Sequence, residues 1–361
     1  MAKWDFVQNT MNYVANEHWV NSHDVQRAYG IHSESVWAMD YSNQLMHLAA
    51  QSGIMYHNAS MRQCLGGSSV NHMQLIEEDT AMILSDRDDS AFFKAMLTDG
   101  STGCVWQCGG RGGDFELVDI DGSRYPKGVS MWTGQHNAEY FGEGQYFLFD
   151  NGFNDTANGF VRDTSRLLVV ELDEDLMEAR LEWEYALDYQ TMVFGDHDRL
   201  PTGNSLGVAW PYESTERDDF DMEIFEVERD TGERAWQLRV WGGKDGTGFE
   251  RAGWVSYSVE RLYDAPLVYN ATCPVVKVVS FSAASAFKQS STSPARYTIR
   301  NADGKALVSG EFDLAAHWRS TRVDAYYHSG FSKCGAGAAA CALEVTNAWG
   351  ATSAMNFTCA Q

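Results

Sequence analysis

Four short segments begin with a polar residue followed by histidine. They are "SHDVQRAYG" from Ser22, "NHMQLIEED" from Asn71, "QHNAEYFGEG" from Gln135 and "DHDRLPTGN" from Asp196. The histidines are His23, His72, His136 and His197, at spacings of 49, 64 and 61 residues. Imidazole is the one side chain that is largely neutral at pH 7 and also a competent nucleophile, base or metal ligand, with a pKa of about 6.5. Four of them in matched settings raise three chemistries: nucleophilic transfer, acid–base work, or a Zn²⁺ or Cu²⁺ site built from converging rings.

The elements around these histidines say how they could converge. Pro is scarce, helical periodicity is weak, and short alternating runs such as "SRLLVVELD", "MEIFEVERD" and "AWQLRVWG" lie between Gly, Asp and Asn turns. The chain therefore reads as all-β. After each polar-His start come a few mixed residues, a turn and an apolar strand. A second hairpin with a Trp-bearing strand follows, as in "DGSTGCVWQCGG", "LDEDLMEARLEWEYALD" and "DTGERAWQLRVWGG". Four antiparallel strands per 40–60-residue unit is the pattern of a β-propeller blade. In that fold the first strand of each blade lines the central channel, so histidines far apart in sequence meet at one mouth.

Four units are clear. The strand at "KWDF" is expected to close the ring against a last blade formed by "GWVSYSVERLY", Gly253 to Tyr263, or to be the remnant of a lost one, which leaves the count between five and six. From Cys273 the pattern changes to short strands with tight turns, expected to form a β-sandwich of immunoglobulin or fibronectin type III shape. The expected domains are a propeller over 1–268 and a sandwich over 273–361.

Composition narrows the partners. The formal net charge is −23, with the excess acid ahead of Cys273. Such a surface repels nucleic acid and anionic membranes, and no run of about 18 apolar residues exists to span a bilayer. Seven cysteines and four glycosylation sequons, at Asn58, Asn154, Asn270 and Asn356, favour a secreted or lumenal protein whose signal peptide is missing from the sequence. Cys334 with Cys341 and Cys273 with Cys359 are plausible pairs. Cys104 and Cys108, about 13 Å apart if both lie on one strand, are too far to bond each other, and either could reach Cys64.

The order of the pieces "HD" at His23-Asp24, "NHMQLIEEDTAMILSDRD", "QHNAEYFGEGQYFLFDNG", "SRLLVVELDEDLMEARLEWEY" and "GDHDRLPTGNSL" resembles the arylsulfotransferases that act without a nucleotide sulfate donor. The resemblance runs over about residues 1–265. It implies a six-bladed propeller whose channel moves a sulfuryl group from a phenolic sulfate ester to a phenol through a sulfated histidine, with no cofactor or metal. It places the nucleophile at His136, and catalytic partners at His72, Arg87 and His23. Asn137, Gln74, His197 and Arg199 are the expected substrate-binding residues. Gln74 stands where the family often has Asn.

The chemistry is consistent on its own terms. Sulfuryl transfer, like phosphoryl transfer, has a loose transition state with charge on the peripheral oxygens. It asks for a neutral nucleophile, an arginine fork for the oxygens and a proton donor for the leaving phenolate. A secreted propeller that binds a sulfated or phenolic ligand without turning it over is the alternative.

Overall fold

The computed structural model describes residues 2–5, 10–13, 24–27, 35–39, 44–49, 52, 54–61, 64, 70–98, 101–152, 163–211, 220–241, 254–275, 277–326 and 341–359. Every regular element among them is a β-strand. The chain divides into two compact units, Met1–Arg199 with Gly203–Val259, and Leu200–Thr202 with Glu260–Gln361. The second unit begins ahead of the expected 268–273 boundary.

In the first unit, β1 (Ala2–Asp5) and β2 (Thr10–Tyr13) form a two-stranded hairpin. Next come β3 (Val25–Arg27), β4 (Ser35–Met39), β5 (Gln44–Ala49) and β6 (Met55–Ser60), paired antiparallel in chain order. The same meander recurs in β7 (Val70–Ile76), β8 (Ala81–Asp86), β9 (Ala91–Thr98) and β10 (Ser101–Gly109). A small insertion, β11 (Glu116–Val118) and β12 (Arg124–Tyr125), extends the outer edge of the third sheet. The meander of that sheet is β13 (His136–Tyr140), β14 (Gln145–Asp150), β15 (Arg166–Asp173) and β16 (Glu178–Ala186). The fourth is β17 (Asp196–Arg199), β18 (Ser205–Ala209), β19 (Met222–Val227) and β20 (Arg234–Val240). The sequence repeat thus corresponds to four antiparallel sheets of like topology, and His72, His136 and His197 all lie on first strands.

Burial falls from the first strands to the fourth. β7 and β8 are buried along their whole length, as are β4 and β18, whereas β16 alternates and β20 is largely exposed. A strand covered on both faces must be apolar at nearly every position, which is why "AMILS" and "YFLF" show no alternation. Three apolar layers follow in sequence order. Trp37, Met73, Leu84 and Phe93 fill the space between the first and second sheets. Phe92, Trp106, Trp132, Tyr146 and Leu168 fill the next, and Phe149, Leu167, Ala209 and Phe225 the last. Each large side chain so buried contributes about 1.5–3 kcal/mol. The sheets therefore stack face to face in chain order.

Two expectations fail. The strand at "KWDF" pairs with β2 rather than with a last blade, and Trp254 to Tyr263 contains no strand. In the latter segment Tyr257 and the Val259 amide bond to the candidate site, as described below.

The second unit holds β21 (Leu267–Val275), β22 (Val278–Ala284), β23 (Ser293–Arg300), β24 (Ala306–Leu314), β25 (Thr321–Tyr326), β26 (Cys341–Asn347) and β27 (Thr352–Phe357). They form one three-stranded and one four-stranded sheet, which share a core of Phe281, Tyr297, Ile299, Leu343 and Val345. β21 pairs with β22, which draws this strand into the second unit. Cys273 bonds Cys359 and Cys64 bonds Cys104. Cys108 is a buried free thiol. Cys341 is also disulfide-bonded, and its expected partner Cys334 lies outside the described residues.

One buried ion pair anchors the third sheet. Asp150, at the end of β14, accepts Arg166 Nε at 2.8 Å, while Arg166 also reaches Glu184 at 2.5 Å and the Met131 carbonyl at 2.6 Å. Asp150 also accepts the Thr133 and Gly152 amides. Arg166→Ala strands a buried carboxylate and is expected to lower stability by about 3–5 kcal/mol, measured by urea denaturation; a loss under about 1 kcal/mol contradicts this assignment.

Candidate active site

Both histidines of the central pair of sheets sit beside a β-bulge. In β7 the pairs are Val70 with Asp86 and His72 with Ser85, so Asn71 is the extra residue. In β13 the pairs are His136 with Phe149 and Glu139 with Phe147, and Asn137 adopts a left-handed φ of 54°. Bulges re-aim side chains at the rims of sheets and are concentrated at functional sites. The two bulges are joined, since Asn71 Nδ2 donates to the Gln135 carbonyl at 2.6 Å.

His72 is enclosed by carboxylates. Its Nδ1 lies 3.0 Å from Asp24 Oδ2 and its Nε2 2.9 Å from Glu139 Oε1. Burial by itself would lower the imidazolium pKa, but the charge and hydrogen bond of Asp24, then those of Glu139, push it up to about 10. Burial likewise would raise Asp24, yet His72 holds it below the ordinary carboxylate value. Asp24 further accepts Gln26 Nε2 at 2.9 Å and the Met73 amide at 3.3 Å. His72 is therefore a permanent cation at neutral pH, tied to the first sheet on one side and the third on the other.

His136 has a different environment. Its Nδ1 lies 2.7 Å from Asn151 Oδ1. The Asn151 amide nitrogen donates to the Thr191 and Phe194 carbonyls at 2.8 and 2.9 Å, so its oxygen faces the ring and the ring donates from Nδ1. The Phe194 amide donates to His136 Nε2 at 3.2 Å, which requires a lone pair there. The imidazole is neutral in this arrangement. Phe194 has φ 66° and Gly195 φ 102°; a Cβ on Gly195 would lie 2.5 Å from the Phe149 ring, so this turn needs glycine to bring the Phe194 peptide onto His136.

Aromatic side chains complete the surroundings. Phe194 and Tyr257 stand edge-on to His136, at centroid distances of 6.4 and 5.9 Å, and 5.0 Å from each other. The Tyr257 hydroxyl donates to the Asn71 carbonyl. Burial, and then Asp24 and Asp196, push its phenol upward, so it stays protonated. The Val259 amide donates to Asp196 Oδ2 at 2.8 Å. Both contacts come from the segment where a strand was expected.

The other expected site residues divide clearly. Gln74 spends its amide on Tyr140, donating to the carbonyl at 3.0 Å and accepting the amide at 2.7 Å. Asn137 donates to Asp196 Oδ1. Both tie one first strand to the next rather than facing a substrate. His197 is fully buried; Nδ1 meets the Leu148 carbonyl at 3.3 Å, Nε2 meets Ser205 Oγ at 2.9 Å, and the ring packs on Phe147 and Trp183. Burial, with the Arg229 charge adding to it, pushes its pKa down to about 3, so it is a neutral tie between the third and fourth sheets. Arg87 lies half-buried in the turn after β8, 3.4 Å from Asp88, and Arg199 ends β17. The contacts described around His72 and His136 are made without either arginine. His23 lies outside the described residues. Among those residues no group of three or more His, Cys, Asp or Glu is arranged to hold a metal ion.

Asp24, Glu139, Asn151, Phe194 and Tyr257 were not foreseen as site residues. Asp24 and Asn151 sit inside the "HD" and "FDNG" motifs and had a signal. Glu139 lies inside the "QHNAEY" motif, where nothing singled it out, and Phe194 and Tyr257 had no motif signal.

The family model described as Arylsulfotransferase (ASST) matches residues 68–248, half of the chain and the whole of this constellation except Asp24 and Tyr257. The chain belongs to the arylsulfotransferase family. Family membership implies a transferase and fits small aryl substrates. No curated protein matches. Among solved structures, BamB from Moraxella catarrhalis is 9% identical with a TM-score of 0.34, over 97% of this chain and 89% of that one. Sqt1 from Saccharomyces cerevisiae is 9% identical with a TM-score of 0.34, over 62% of this chain and 48% of that one. Neither likeness is strong enough to carry an argument. No helix among the described residues is long and apolar enough to cross a membrane.

The His72 cation couples stability to pH. Its folded pKa, about 10, lies above the ordinary imidazole value of 6.5, so its contribution is complete below pH 6.5 and is lost as pH rises towards about 10. Denaturation midpoints of the native protein are expected to fall over that window, and those of His72→Gln to fall less. Parallel curves for the two proteins contradict the assignment.

Proposed function

We propose that this arylsulfotransferase moves a sulfuryl group from an aryl sulfate ester to a phenol through a covalent intermediate on His136. The observation that carries the proposal is the neutral His136 ring, held from Nδ1, with an Nε2 lone pair that accepts the Phe194 amide and with Phe194 and Tyr257 edge-on to the ring. In the first half-reaction the Nε2–S bond forms, the aryl O–S bond breaks and the phenolate leaves with a proton. In the second, the acceptor phenol oxygen attacks sulfur and His136 is released. The Phe194 amide must leave Nε2 before sulfur bonds there, and that N–H is then free to donate to a sulfuryl oxygen.

The charge of His72 is more than matched by Asp24 and Glu139, so the positive charge that an acidic protein needs to admit an anionic ester is assigned to the arginines. Arg87 is the proposed clamp on the sulfuryl oxygens, with Arg199 a further cation for the ester, and His23, next to Asp24, is the proposed proton donor and acceptor. The first unit is read as a propeller, six-bladed as in the family, because four like sheets stack in chain order with their first strands tied side by side. The second unit is read as a β-sandwich. Exposed sequon residues Asn58, Asn270 and Asn356, together with the disulfides, support a glycosylated protein of an oxidising compartment; Asn154 lies outside the described residues.

A second reading, a propeller that binds a sulfated or phenolic ligand without turnover, is favoured by one observation: the Phe194 amide already occupies Nε2. Initial rates of transfer from a synthetic aryl sulfate to a phenol separate the two. The native protein is expected to turn over, and His136→Ala to lose about 10³-fold or more. Undiminished turnover in His136→Ala excludes the nucleophile; saturable binding with no turnover in the native protein favours the second reading.

A further inference from the structure

We propose that Asn151 is a positioning residue that holds the His136 proton on Nδ1 and, being an amide rather than a carboxylate, keeps the ring neutral so that Nε2 presents a lone pair. The role in transfer rests on the reading of His136 as nucleophile; the role in fixing the ring does not.

The argument starts from two histidines at matched places. His72 and His136 both lie on the first strand of a sheet, both beside a bulge, and both are buried. What differs is the partner. His72 Nδ1 meets the Asp24 carboxylate and the ring is a cation, pushed up to about 10. A ring with both nitrogens protonated has no lone pair and cannot attack sulfur. His136 Nδ1 meets Asn151 instead.

Asn151 is fully buried, and its orientation is fixed from every side. Its Nδ2 donates to two carbonyls, those of Thr191 and Phe194. The Asn151 backbone carbonyl accepts the Ser165 hydroxyl at 2.9 Å, which holds the main chain beneath the amide. Ser165 Oγ in turn accepts the Thr191 amide at 2.8 Å, and Thr191 Oγ1 donates to the Trp210 carbonyl at 3.0 Å. A flipped amide would set its oxygen against two carbonyl oxygens and its N–H against the ring N–H. One orientation survives, and it accepts from Nδ1. The same side chain locates the loop that carries the Phe194 amide, so it governs what stands at Nε2 as well.

The titratable groups around His136 are consistent with this control. Tyr257, in ring contact, stays a neutral phenol, with Asp24 and Asp196 acting on it from beyond. Asp196 is engaged by Asn137 and the Val259 amide. Glu139, three residues along the strand from His136, is engaged by His72. Asp150, the chain neighbour of Asn151, is paired with Arg166. Each of these carboxylates has its own partner, and among the described residues the contact at Nδ1 is the Asn151 amide.

The test is Asn151→Asp, with Asn151→Ala as the second variant, in the full chain carrying isotope-labelled histidine. In Asn151→Asp the His136 ring is expected to titrate about one pH unit or more higher than in the native protein. Single-turnover release of phenol from a synthetic aryl sulfate should fall about tenfold at neutral pH and recover as pH rises past the new pKa. A merely structural role would lower the rate by the same factor at every pH, and that result, or an unmoved titration, overturns the proposal. Should Asn151→Asp not fold, Asn151→Ala reads the tautomer directly: the ring proton is expected to populate Nε2, and retention of Nδ1–H overturns the proposal. A shifted titration or tautomer, with no phenol release by native protein or either variant, upholds the role of Asn151 on the ring and sinks the nucleophile reading instead.

Discussion

A buried imidazolium between two carboxylates is the interaction on which the arrangement of the first unit turns. Asp24, one residue ahead of β3, and His72 and Glu139, on β7 and β13, belong to three successive sheets, so one imidazolium can meet both acids only if those sheets stand in the observed order. Losing His72 leaves both carboxylates without their cation in the interior, at a cost of about 3–5 kcal/mol. The ties from Gln74 to Tyr140, from Asn137 to Asp196 and from His197 to Leu148 continue the same series. Apolar layers hold the sheets face to face without fixing how far one slides over the next; directional polar contacts between first strands set that register.

The same contacts divide the chemistry. One matched position was given acids as partners and became a fixed cation. The other was given an amide and remained a neutral base. His197, a third, is held neutral chiefly by burial, with the Arg229 charge adding to it. Three histidines in equivalent places thus have three electrostatic identities, each set by the immediate neighbours rather than by the strand that carries them.

The layout of the first unit was legible because a four-strand meander writes itself into sequence at short range: turn residues, apolar second strands and a Trp-bearing fourth. "QHNAEYFGEGQYFLFDNG" carries β13, its turn and β14 intact, and even contains Asn151. The site was legible only where its residues lie within such motifs. Tyr257 reaches Asn71 across 186 residues, from a segment whose aromatic alternation looks like a strand but whose hydrogen bonds go elsewhere. Phe194 acts through its backbone amide, which no side-chain pattern reveals. Gln74, Asn137 and His197 looked like ligands for a substrate because polar residues at a channel mouth often are; here neighbouring sheets consume their hydrogen bonds.

The division of labour between His72 and His136 is tested most directly by locating the covalent intermediate. The protein would be mixed with a synthetic aryl sulfate without acceptor, quenched in alkali and digested, and the peptide bearing the sulfuryl group identified by mass spectrometry. The sulfuryl group is expected on His136 alone. A sulfuryl group on His72 would contradict the account, because a ring protonated at both nitrogens by its carboxylate partners has no electron pair with which to form that bond.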